Sequence, residues 1–326
     1  MPILQPINTA IGSRHAWQNR VQSVLLLAAM AGFMALLGYL IWGWVGLLLL
    51  FWSAIIGSLF IPSYSPKLLL RMYAAKPICR HQAPVLWAIV AELSERANLE
   101  TYPSLYYIPS QVPNAFTMGS KPASMIALSD GLLQRLSQPE LVAVVAHEIS
   151  HIAHDDGKVM GLADLFSRTT TLLSLIGQLL LLINLPLLLL ADIAINWVAI
   201  ILLIVAPVVS VLAQQALSRT REFDADLNAA RLTGDPEGLA AALLKIDDLQ
   251  QRWQNFFIPG YRIPEPSSLR THPPTAERVT RLLALRPQFS AWERGLPSSD
   301  LESFRSAPFA KPVHRRPRWH VTGLWH

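Results

Sequence analysis

The densest chemistry in the chain lies in five residues, His147-Glu148-Ile149-Ser150-His151. On an α-helix positions i and i+4 share a face, so His147 and His151 can aim two imidazole nitrogens at one tetrahedral metal. Glu148 then points along the open side of that metal, placed as a general base for water whose pKa the ion lowers to roughly 7. Such a pattern also arises by chance, so its flanks must argue for a helix. Ser137 is placed to cap one with Glu140 three residues on, and Pro139 falls in the first turn, where its missing N–H costs nothing. Leu141, Val144, Val145 and Ile149 supply an apolar face to bury.

HExxH supplies two ligands, so a third must come from elsewhere. The best candidate is the segment from Ser218 to Asp226, in which Glu222 and Asp226 are again i and i+4. One carboxylate can bind the metal while the other accepts an N–H from a ligating histidine and so fixes its orientation. His154 lies seven residues after His147 on nearly the same face, but a further turn along, and Asp224 is turned away from the Glu222 face. Both rank below Glu222. A charge cluster alone is a solvated helix face; a neighbouring HExxH gives this one its meaning.

What positions these segments is a membrane. The 326 residues are 52% hydrophobic and 15% charged, with a mean hydropathy of +0.34. That composition belongs to integral membrane proteins and excludes a soluble one. A single cysteine, Cys79, rules out an internal disulfide framework. The net charge of +5 comes from basic residues scattered beside apolar segments without interleaved aromatics, so no nucleic-acid partner is expected.

Residues 1–20 form a short polar lead-in carrying Arg14 and Arg20. No charge then occurs from Val21 to Pro66, enough for two spans over 21–62, with the turn near Trp42-Gly43-Trp44 and Tyr39, Trp42 and Trp44 at the far interface. Residues 63–168 are mixed in composition. They hold a helical pattern through Val85, Leu86, Ile89, Val90 and Leu93, then strand candidates Ser104–Ile108, Asn114–Met118 and Ser124–Leu128. The expected result is a small antiparallel sheet leading into the HExxH helix. Residues 169–217 read as a second hairpin whose tip holds Asp192, an acid that needs no functional role at an interface. The Glu222 helix continues through Leu227, Ala229, Ala230 and Leu232 to Gly234-Asp235-Pro236, within a second catalytic part over 218–300. Residues 301–326 are a basic tail rich in Pro and Arg, whose His314, His320 and His326 lack a tight ligand spacing. With two hairpins, every Lys and Arg falls on one side of the membrane, which places both termini and all the metal motifs in the cytoplasm.

Four motifs in order now carry a resemblance: His-Glu-Ile-Ser-His, Ser-Arg-x-Arg-Glu-Phe-x-Ala-Asp at Ser218 to Asp226, Asn114-Ala115-Phe116 upstream, and His272-Pro273-Pro274 with Arg278 downstream. Over roughly residues 20–285 the chain resembles the HtpX-type membrane zinc metalloproteases, relatives of the CAAX prenyl proteases. The resemblance implies an α-helical membrane protein with four transmembrane helices and an α+β zincin-like (gluzincin) cytoplasmic catalytic domain. It implies one Zn2+ per chain held by His147, His151 and Glu222, with Glu148 as general base and Asp226 orienting a ligand. His272 would stabilise the oxyanion, Arg278 would support the acidic helix, and Asn114, Ala115 and Phe116 would form the edge strand that holds a substrate peptide. Thr117-Met118 departs from the smaller residues commoner in the family. The implied setting is the bacterial inner membrane, where the enzyme would cleave cytoplasmic segments of misfolded membrane proteins and peptides under stress, alongside other quality-control proteases.

Three rivals are weighed against this. A site-2-type protease buries HExxH inside a span, whereas His154-Asp155-Asp156 and Lys158 follow immediately here. A CAAX-type protease is expected to have more spans. A non-catalytic membrane chaperone or scaffold would need none of Glu148, Glu222 and Asp226.

Overall fold

Long charge-free runs become long helices. The computed structural model describes residues 9–59, 70–119, 121–190, 197–257 and 273–285. Among them, three helices contain stretches long and apolar enough to cross a membrane: Gly12–Trp52, Asp156–Pro186 and Trp197–Thr233.

The first of these, α1 (Thr9–Leu59), is one helical run interrupted at Gly43, whose φ of 58° and ψ of −140° are non-helical. The chain reverses there. A Cβ placed on Gly46 would overlap the Gly38 carbonyl oxygen, and one on Gly38 would overlap the Leu50 side chain. Residues 12 apart on a straight helix are separated by about 18 Å, so the arms before and after Gly43 must fold against each other. Small residues permit that close approach between helices in lipid. The turn thus lies where the Trp-Gly-Trp motif places it, within a single candidate span where the sequence suggests two. The polar lead-in is also helical from Thr9, because Ala16 packs on the soluble core and Asn19 finds a buried partner.

After the region 60–69, strand β1 (Lys76–Pro77) and helix α2 (Pro84–Arg96) begin the soluble part. The buried stripe of α2 is Leu86, Val90 and Leu93, with Val85 exposed on its flank. Strands β2 (Ser104–Ile108), β3 (Ala115–Met118) and β4 (Met125–Ser129) match the sequence candidates to within a residue. Their sheet is not purely antiparallel: its order is β1-β2-β4-β3, and β4 runs parallel to β2 while pairing antiparallel with β3. The cause is burial. Ile126, Ala127 and Leu128 are wholly enclosed, so β4 takes the central place covered on both faces, and the half-buried β3 is left at the edge.

A short helix α3 (Asp130–Arg135), capped by Ser129, leads into α4 (Gln138–Ala153), the HExxH helix. The amide of Ser137 donates to Glu140 Oε2 at 2.7 Å, so the expected capping box starts α4. Leu141, Val144, Val145 and Ile149 are buried as expected. Beyond His154, Asp155 takes a left-handed φ of 53°, and α5 (Asp156–Leu190) starts at the next residue. It is 35 residues long and begins 13 residues before the apolar block, carrying Asp156, Lys158, Asp164 and Arg168 in its polar opening turns. Helix α6 (Trp197–Thr233) runs unbroken for 37 residues from the apolar block through Glu222 to Thr233. Helices α7 (Pro236–Phe257) and α8 (Thr275–Leu283) close the domain. One core of Val90, Ile126, Val145, Ile149, Leu239 and Leu282 joins sheet, α4, α7 and α8, while separate apolar clusters join α1, α5 and α6. Asp192, His272 and the tail after 300 lie outside the described residues.

Candidate metal centre

The i, i+4 spacing on α4 and the straight run of α6 bring three side chains together. His147, His151 and Glu222 each present a donor atom within 4.8 Å of the others. Nε2 of His147 is 3.2 Å from Nε2 of His151 and 3.5 Å from Glu222 Oε2, and His151 Nε2 is 3.9 Å from Glu222 Oε1. Metal–nitrogen bonds of 2.0–2.1 Å at tetrahedral angles separate ligand atoms by about 3.3 Å. The two nitrogens and the Glu222 carboxylate therefore sit close to the spacing a zinc ion requires.

The far sides of the rings support the same conclusion. His151 Nδ1 lies 2.7 Å from Asp156 Oδ2, and His147 Nδ1 lies 3.1 Å from Asp226 Oδ1, off the line of a good hydrogen bond. With protons on the Nδ1 atoms, the two Nε2 lone pairs face each other and Glu222, an arrangement that only a cation relieves. In the metal-free protein a proton does this. Burial, the largest influence on His147, opposes its charged form, but the carboxylates of Asp226 and Glu222 beside the ring outweigh it and raise the pKa from 6.5 to about 10. Without metal, the stabilisation from this charged ring is complete below pH 6.5 and fades as pH rises towards about 10. Zinc must expel that proton. Apparent zinc affinity is accordingly expected to rise by about tenfold per pH unit from pH 6 to 9, with one proton released from His147. Calorimetry in buffers of different ionisation enthalpy checks this, and a pH-independent affinity contradicts it.

Each Asp is backed by a buried arginine. Arg278 from α8 donates through Nε (2.7 Å) and Nη2 (2.6 Å) to the two oxygens of Asp226, and its Nη1 is 3.3 Å from Glu222 Oε2. Burial disfavours the Arg278 cation, yet Asp226, Glu222 and Glu148 around it raise its pKa further. Arg221 of α6 donates through both Nε and Nη2 to Oδ1 of Asp156, whose Oδ2 faces His151. The sequence points to Asp226 and Arg278 and misses Asp156 and Arg221.

Glu148 is buried beside the triad, and the Thr117 hydroxyl of β3 donates to its carboxylate and, at 3.2 Å, to its backbone carbonyl. The residue that departs from the expected small type is thus the one that touches the candidate base. Asn114 is exposed, with its backbone tied to Ser129, while Ala115 and Phe116 begin the edge strand, the Phe116 ring 5.2 Å from that of Tyr73. His154 ends α4, its Nδ1 2.8 Å from the Ser150 carbonyl oxygen, and Asp224 faces Arg221.

A profile of peptidase family M48 matches residues 80–286, a range that holds every residue of this centre. The chain belongs to peptidase family M48. Among relatives of this M48 chain, "Protease HtpX homolog" of Pelotomaculum thermopropionicum is 36% identical over 284 residues, covering 82% of this chain and 99% of that protein. "Protease HtpX" of Legionella pneumophila (strain Corby) is 34% identical over 303 residues, with 82% and 99% covered. A solved structure titled "Crystal Structure of S. mikatae Ste24p" aligns with a TM-score of 0.47 at 22% identity, covering 83% of this chain and 67% of that one. Family, relatives and apolar helices together make this M48 chain a membrane metalloprotease homologue.

Proposed function

We propose that the protein is a zinc endopeptidase of the bacterial inner membrane that cleaves cytoplasmic segments of misfolded membrane proteins. One observation carries the reading: the donor atoms of His147, His151 and Glu222 converge beside Glu148, on helices continuous with or adjoining membrane-length ones. The two arms of α1 would cross separately, giving four spans with α5 and α6. The one-sided distribution of Lys and Arg supports a cytoplasmic metal centre.

His147, His151 and Glu222 would hold the ion. A zinc ion held there would supply Lewis-acid polarisation of the scissile carbonyl and would lower the pKa of water to about 7. Glu148 takes the proton of the attacking water and passes it to the leaving amine. Thr117 fixes the Glu148 carboxylate, and Asp226 and Arg278 fix His147 and Glu222. A substrate strand would add to the outer edge of β3, using the main chain of Asn114 to Phe116. His272 would steady the oxyanion.

The test uses the full chain purified in detergent, with metal content measured, on casein and on a membrane protein with a cytoplasmic loop. Cleavage is expected to stop on chelation and return with one equivalent of zinc. Cleavage that survives complete metal removal contradicts the reading.

A further inference from the structure

Charged side chains that the proposed reaction leaves unused form a continuous chain behind His151. Asp156 Oδ2 is 2.7 Å from His151 Nδ1, and Asp156 Oδ1 accepts from Arg221 Nη2 and, at 2.7 Å, from Arg221 Nε. Arg221 Nη1 donates to Asp224 Oδ2 at 2.9 Å, and Asn19 Nδ2 donates to Asp224 Oδ1 at 2.8 Å. Asp156, Arg221, Asp224 and Asn19 all have less than a tenth of their surface exposed. Charges so enclosed are costly unless each is held by partners, which makes the geometry of the chain tightly determined.

Its members come from different elements. His151 is on α4, Asp156 opens α5, Arg221 and Asp224 lie on α6, and Asn19 lies on α1. Three of these four helices are the membrane-length ones. The other imidazole, His147, is backed from α6 and α8 instead. Both rings are therefore backed from α6, but only the ring of His151 is tied through it to α5 and α1. Two carboxylates against one guanidinium also leave this relay with a negative charge, which favours a cation at His151.

We propose that Asp156 and Arg221 are positioning residues for His151, and that Asn19, at the far end of the relay, ties metal affinity to the docking of α1 on α6. The proposal rests on the reading of His151 as a metal ligand. Among the described side chains Asn19 hydrogen-bonds Asp224 and no member of the triad, so the relay is the hydrogen-bonded route from Asn19 to His151.

The experiment measures zinc affinity of the full chain in detergent by competition with a chromophoric chelator, the visible spectrum of the Co2+-loaded protein, and the melting temperature without metal. Asp156→Asn is expected to weaken zinc binding by about 10–100-fold and to shift the Co2+ bands. Arg221→Lys, which keeps the charge but loses the fork, should show the same changes in smaller measure and serves if Asp156→Asn does not fold. Asn19→Ala should weaken zinc binding by about 2–10-fold, and should add little in the Asp156→Asn or Arg221→Lys background, where the relay is already cut. If Asn19→Ala lowers only the melting temperature, or its effect adds in full to that of Asp156→Asn, the relay is an ordinary tie between helices and the proposal is overturned. Wild-type affinity in Asp156→Asn overturns it equally. A wild-type chain that binds neither zinc nor cobalt removes the metal reading itself, whereas normal wild-type binding with an inert relay removes this inference alone.

Discussion

Glu148→Gln is expected to keep one zinc per chain and to lose proteolysis by about 10²–10⁴-fold, the usual contribution of a positioned general base. The substitution is isosteric, and Glu148 is not among the three converging donors, so the metal has no reason to leave. The Thr117 hydroxyl can donate to an amide oxygen as it does to the carboxylate, which keeps the side chain in place. Only the ability to take a proton is lost. Turnover of casein by wild type and variant at equal zinc content checks this. Full activity in the variant would move the base elsewhere, and loss of zinc together with activity would mean that Glu148 helps to build the centre.

Arg278→Met should act on the fold instead. Arg278 is 8% exposed and grips both oxygens of Asp226 while lying 3.3 Å from Glu222. Methionine keeps only the aliphatic stem and leaves two buried carboxylates with the His147 ring alone between them, and breaking a buried pair from one side costs about 3–5 kcal/mol. A sharp fall in the melting temperature of the metal-free protein is expected. Zinc should restore part of it, because a divalent ion at the triad supplies positive charge next to Glu222. Equal melting temperatures for variant and wild type in the absence of metal would show that Arg278 does not hold the acidic helix.

How much of this was legible beforehand depends on the range of each signal. His147 with His151 and Glu222 with Asp226 are i, i+4 pairs, so periodicity alone puts each pair on one face; their mutual approach needed only two helices on the same side of a membrane. The capping box of α4 is a local signal too, and it appears as read. Asp156 carries no such signal. It follows His151 by five residues across a helix end, and only the left-handed turn at Asp155 swings its carboxylate back to the ring. Asn19 and Asp224 are separated by 205 residues, beyond any pattern. The sheet failed for the same reason: alternation marks β2, β3 and β4, but nothing local says that β4 slides between its two predecessors. The membrane turn was legible because tryptophans flank a glycine, whereas the helical start at Thr9 was not, since its partners are on α6.

Helix α6 has a further consequence as a ruler. Its charge-free stretch ends at Ser218 and Glu222 follows four residues later on the same unbroken rod, so on the proposed topology Glu222 would stand about 6 Å beyond the hydrocarbon. An extended peptide rises about 3.3 Å per residue. On the proposed function, a protein anchored in the same bilayer would thus present a bond to the centre only about two residues or more after its chain leaves the lipid, and that short tether would be the shortest stub cleavage leaves behind.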